Sequence, residues 1–168
     1  VYLSPPLSSS APKQSFLQSD TWLANILKKP VYRLIGFETM IARLENPDSE
    51  ESIRLRQLQA EPCFIYTKLP TTDLVPINRI VQWDFRLIDS NIVFERPILR
   101  KQKLQGDCDL KFAESNDESQ TVLISKNAFS YSRFHLDPQI SNETANQIKA
   151  EWARNYFLGK RGQYMTVA

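Results

Sequence analysis

Glycine is scarce in this 168-residue chain, which has four: Gly36, Gly106, Gly159 and Gly162. Backbone amides that cradle a phosphate need glycines spaced closely just ahead of a helix, and none of the four provides that spacing. Cysteine occurs twice. Cys63 lies in an apolar run and Cys108 near a turn, without metal-ligand spacing, which argues against zinc and for buried thiols in a reducing, cytoplasmic setting. No apolar run approaches the roughly 20 residues that cross a bilayer. Charge of one sign is lacking too: 21 Lys and Arg against 19 Asp and Glu leave a net +2. So small an excess, scattered along the chain, does not make a nucleic-acid surface. No metal, membrane or nucleic acid is therefore expected. A hydrophobic content of 42% and a charged content of 24% are those of a soluble globular chain, and the length suits one domain or two small ones.

What is present reads as an α/β (α+β) chain. Residues 1–19 open it; Ser and Pro dominate up to Gln14 without periodicity, so this is an extended, poorly ordered lead-in. A first α/β unit is expected over residues 20–99. Asp20 caps a short helix through Trp22, Leu23, Ile26 and Leu27, stopped at Pro30. Val31 to Leu44 is a β-type run broken near Gly36. Ser49 to Ala60 is a helix with Ile53 and Leu58 inward, and Cys63 to Leu69 a strand. Thr72 or Asp73 caps a helix with the stripe Leu74, Ile77, Ile80 and Val81, Pro76 falling near its first turn. Arg86 to Pro97 is the next strand, a neighbour of Cys63–Leu69. Alternation of strand and helix is the mark of a layered unit. Residues 100–107 are a basic linker ending near Gly106.

A second unit is expected over residues 108–168. Leu110 to Ala113 is a short strand, Ser115 and Glu118 have the form of a capping box, and the helix they open carries Val122, Leu123, Ile124 and Phe129. A polar, aromatic-rich connection follows, Ala128 to Pro138, holding the single histidine, His135. Then Ala145, Ile148, Trp152 and Tyr156 recur at helical spacing, and Gln163 to Ala168 is a strand that runs to the last residue, so the unit is expected to be cut short.

Strand, helix, helix, strand over residues 110–168 resembles the opening of a GNAT N-acetyltransferase domain. Ala128, Phe129, Ser132, Arg133 and Phe134, followed by Trp152, Asn155 and Gly159, resemble the pattern of dTDP-fucosamine (dTDP-4-amino-4,6-dideoxygalactose) acetyltransferases and related sugar N-acetyltransferases. Phe64-Ile65-Tyr66-Thr67-Lys68-Leu69-Pro70, with Phe85-Arg86-Leu87-Ile88-Asp89, is similar to their GNAT-like N-terminal region. The likeness implies acetyl transfer from acetyl-CoA, as co-substrate, to the amino group of a nucleotide-linked sugar destined for surface polysaccharide. The family's pyrophosphate turn, Arg/Gln-x-x-Gly-x-Gly/Ala, is absent from this chain, as is its thiol-protonating tyrosine. The chain as it stands is thus expected to be inactive and to bind no coenzyme, its second unit being completed by further sequence or by a partner chain. A second copy of the chain is a further candidate partner. The runner-up reading is a non-catalytic interaction module that docks through the sheet edge at Met165 to Ala168.

On the acceptor side the resemblance points to Tyr131, Ser132, Arg133, Phe134, His135 and Asn155. Arg133 can meet a phosphate with a bidentate fork, or it can form an ion pair with Asp137. His135 has the titration range of a base, or is a surface group. Tyr131 and Phe134 can face the sugar or the thymine, Phe129 being the more natural core residue. Asn155 and Tyr156 can line a pocket from the helix, or simply lie on its half-exposed face. Lys160 and Arg161 read as helix C-terminal charges.

Overall fold

The computed structural model describes residues 16–95, 97, 110–163 and 165–167. The residues of the expected linker, Cys108, and the lead-in up to Gln14 lie outside that set. The protein is a mixed α+β chain of helices and small sheets. It divides into two compact units between Phe85 and Arg86.

The first unit is built on a three-stranded sheet in the order β1-β2-β3, with β1 (Leu17–Ser19) antiparallel to β2 (Val31–Leu34) and β3 (Phe64–Tyr66) parallel to β2. Strand β1 falls inside the stretch expected to be a loose lead-in. Phe16 and Leu17 are buried, and that apolar pair is what ties the segment down. Helix α1 (Thr21–Leu27) starts where the Asp20 carboxylate accepts the Leu23 amide at 2.9 Å. The other Asp20 oxygen accepts the Tyr66 hydroxyl at 2.9 Å, so one side chain both caps a helix and ties it to β3.

Beyond Gly36, which sits at φ +63, the expected β run gives way to helix α2 (Phe37–Glu45). The physical reason is in the spacing: Phe37, Ile41 and Leu44 share one helical face, with Phe37 and Leu44 buried. Ser49 accepts the Ser52 amide and opens α3 (Glu50–Gln59). Its buried residues are Ser52 and Leu55; Ile53, expected inward, is exposed because it projects from the opposite face. Asp73 caps α4 (Leu74–Val81) through the Val75 amide. Pro76 and Ile80 are its buried residues, and Leu74, from the expected stripe, is 65% exposed. The core joins Phe16, Leu17, Leu34, Phe37, Leu44, Leu55 and Ile80, with Trp83 edge-on to Phe37 at 5.9 Å between centroids.

The expected strand over Arg86 to Pro97 is corrected: residues 86–95 form no strand, and Phe94 is 90% exposed. Apolar composition alone does not pair a strand, and among the described residues no strand pairs with this stretch.

In the second unit β4 (Lys111–Phe112) pairs antiparallel with β5 (Thr166–Val167). The capping box lies one residue earlier than its expected place. The Glu114 amide donates to Asp117 at 2.9 Å, around a 3-10 turn, Ser115–Asp117, that feeds α5 (Glu118–Asn127). That amide and the Lys111 ammonium hold the Asp117 carboxyl below its ordinary range. The connection after α5 contains a single helical turn, α6 (Arg133–Leu136), and then the long helix α7 (Asn142–Phe157), opened by Ser141 accepting the Thr144 amide. Helix α7 buries Ala145, Ile148, Ala150 and Ala153. Small side chains on that face let other backbone approach closely. Among the described residues no helix is long and apolar enough to cross a membrane.

Candidate functional site

The site is made by α6, by the face of α7 beneath it and by the turn that ends α7. Ser132 takes the N-cap position of α6, yet its hydroxyl makes no bond to the helix backbone. It meets His135 Nδ1 at 2.7 Å instead. The other imidazole nitrogen, Nε2, lies 2.8 Å from Asn146 Oδ1 on α7. An amide oxygen only accepts, so Nε2 carries the hydrogen. In the neutral ring Nδ1 is then a lone pair, and it accepts from the Ser132 hydroxyl. Asn146 thereby sets the tautomer and Ser132 receives the basic nitrogen, the division of labour found wherever a histidine is oriented for proton transfer.

The second component surrounds Trp152. Phe134 is buried, at 4% exposure, and packs edge-on to the indole at 5.6 Å. Three cations converge on the same indole. The Arg133 guanidinium lies 5.9 Å from its centroid, with the Phe134 ring at 4.7 Å. Lys149 Nζ is 4.7 Å from the indole and 4.7 Å from the Phe129 ring. The Arg161 guanidinium is 4.8 Å from the indole.

Local sequence explains each approach. Lys149 precedes Trp152 by three residues on α7 and so shares its face. Arg161 arrives because α7 ends in a Schellman turn: the Gly159 amide bonds Tyr156 O and the Lys160 amide bonds Asn155 O, both at 2.9 Å, with Gly159 at φ +66. The carboxylates nearby are otherwise engaged. Glu151 pairs with Arg154, and Glu118 lies 3.9 Å from the same guanidinium. Among the described residues none of Arg133, Lys149 and Arg161 makes an ion pair. Partial burial holds the Lys149 ammonium below the ordinary lysine range, and Arg133 beside it pushes the same way.

The residues expected from the sequence are distributed as follows. Ser132, Arg133 and His135 come together with residues of α7. Phe134 is spent on packing against Trp152. Tyr131 stands outside, 88% exposed. Asn155 lies in the last turn of α7, where its carbonyl accepts the Lys160 amide. The alternative pairing of Arg133 with Asp137 does not form: Asp137 Oδ1 accepts the Gln139 amide at 2.9 Å. Sequence reasoning missed Asn146 and Lys149, and took Arg161 for a helix-end charge. Lys149 was discoverable from its spacing to Trp152; Asn146 was not, being eleven positions from His135 with no local pattern to link them. Among the described residues no three of His, Cys, Asp and Glu gather as a metal site would require.

A separate polar cleft of about 300 Å³ lies in the first unit, lined in part by Asp20, Arg33 and Tyr66. Its carboxylate is already committed to the α1 amide and the Tyr66 hydroxyl.

No protein-family model matches the chain, and no solved structure matches it. Among curated proteins it is similar to the spore coat polysaccharide biosynthesis protein SpsD of Bacillus subtilis (strain 168), 27% identical over 107 residues. That match takes in 63% of this chain and 37% of the relative, so the chain spans little more than a third of the relative's length.

Proposed function

We propose that the protein serves polysaccharide biosynthesis by binding a nucleotide-linked amino sugar and readying its amino group for acetyl transfer from acetyl-CoA. The observation that carries this reading is the Ser132–His135–Asn146 chain of hydrogen bonds. An amino sugar is largely protonated at neutral pH and must lose a proton before it attacks a thioester. Ser132 Oγ can take that proton while passing its own to His135 Nδ1. The amine then bonds to the acetyl carbon, the carbon–sulfur bond breaks, and the surplus proton of the nitrogen goes to the departing thiolate. The relative's role in spore coat polysaccharide biosynthesis agrees with such a substrate.

The test is acetyl transfer by the full-length protein, followed as thiol release from acetyl-CoA with a dTDP-linked 4-amino sugar. His135→Gln is expected to lower kcat/KM about 10²–10⁴-fold. An unchanged rate would dismiss the proton-transfer role.

A second reading, an interaction module completed by a partner strand, is favoured by the two-residue strands of the β4/β5 ribbon and the exposure of Leu110 beside it. It predicts a stable complex with another chain and no thiol release.

A further inference from the structure

Three like charges around one indole are a costly arrangement unless something of opposite sign belongs among them. The chain contains carboxylates that could have filled that role, and Arg154 takes two of them, Glu118 and Glu151. Arg133, Lys149 and Arg161 come from three separate places: the first residue of α6, the middle of α7 and the turn beyond it. Convergence from three segments is not the accident of one charged run. Arg133 and Lys149 are half-buried, so water compensates them less than it would at a free surface.

We propose that Arg133, Lys149 and Arg161, set around Trp152, form a clamp for the diphosphate of a nucleoside diphosphate. This deepens the reading given above, since a nucleotide-linked sugar carries that group, but the clamp is testable without any acetyl transfer. Two guanidiniums supply planar forks for phosphate oxygens and the ammonium a compact charge between them. Phosphate oxygens replace the missing carboxylates, and the mutual repulsion becomes attraction to a common ion. Phe129, exposed and with its ring 4.7 Å from Lys149 Nζ, offers a ring on which a base can stack. Burial first, and then the Arg133 charge beside it, hold the Lys149 ammonium below its ordinary range, and an anion between the two cations offsets the second of these.

The experiment is calorimetric titration of the full-length protein at low salt with inorganic pyrophosphate, then dTDP, then coenzyme A. Saturable pyrophosphate binding is expected, weakened about tenfold or more in each of Arg133→Gln, Lys149→Gln and Arg161→Gln, a charge-assisted contact being lost each time. Lys149→Arg is expected to retain most of the affinity. Lys126→Gln, at an exposed position of α5, is expected to change nothing. The cluster variants are expected to melt no lower than wild type, because removing one cation relieves the other two. dTDP is expected to compete with pyrophosphate and to show the same losses. Absence of saturable binding, or wild-type affinity in all three variants, overturns the clamp. Losses confined to coenzyme A, with dTDP unaffected, overturn the nucleoside assignment. Intact pyrophosphate and dTDP binding without thiol release leaves the clamp standing and removes the acetyl-transfer reading instead.

Discussion

The two units spend their aromatic residues differently. In the first, Phe16, Phe37 and Trp83 go into or against an apolar core, and charged groups pair at the surface, as Arg43 with Glu51 and Arg79 with Glu45, both at 3.1 Å. In the second, Trp152 and Phe134 form a small apolar nucleus whose outer faces are given to cations. A ring wrapped in apolar side chains contributes mainly stability. A ring that gathers unpaired charge gives some of that up to present a recognition surface.

The sharpest way to break this comparison is to remove a core ring. Phe37 is 1% exposed, and Phe37→Ala is expected to cost about 3–5 kcal/mol in urea denaturation. Hydrogen exchange is the check on where the loss falls: amides of β2 and α2 should open while those of α7 stay protected. Equal loss of protection in α7 would show that the units are not separate in stability. Asp20→Ala removes both the α1 cap and the acceptor of the Tyr66 hydroxyl, and is expected to cost about 1–2 kcal/mol in the same measurement.

Two smaller effects sharpen the second unit's side. Gly159→Ala adds a methyl group that meets nothing within 4 Å, so its cost is the left-handed backbone alone, about 1 kcal/mol. The same variant is expected to weaken pyrophosphate binding by loosening the approach of Arg161. Lys149→Met, which keeps the apolar stem, is expected to raise stability near neutral pH by a few tenths of a kcal/mol at most, an exposed-site scale for charge effects. The sign follows from linkage. Lys149 is held below its ordinary value, so its charge disfavours the folded state wherever it is protonated in both states. That penalty is lifted as pH rises through the folded value towards the ordinary lysine pKa of about 10.4. Melting curves of wild type and variant should therefore draw together on that approach.

Local chemistry made the helix starts legible: Asp20, Ser49 and Asp73 each cap where a short polar side chain precedes an apolar spacing. Helix α2 was misread because β-branched and aromatic residues on either side of Gly36 look alike in composition, and only the spacing of Phe37, Ile41 and Leu44 separates helix from strand. Leu87 to Phe94 was misread for the opposite reason: strand-forming residues make a strand only where a partner's backbone is available. At the candidate site, Ser132 and His135 stand three apart and are readable as one helical turn. Their junction with Asn146, and the convergence of Arg161 on Trp152, depend on how separate segments pack, which no local pattern encodes.

The parallel pairing of β2 with β3 sets the order of events during folding. Val31 faces Phe64 across the sheet, and the intervening chain holds all of α2 and α3. No tight turn can zip these strands together. The closure entropy of that long segment must be met before the first β2–β3 hydrogen bond forms. Strand β1, antiparallel to β2 and joined to it through α1 alone, can pair much earlier. A chain emerging from the ribosome would therefore hold β2 with one edge open until Phe64 has appeared, and that interval is when another chain's strand could most easily take β3's place.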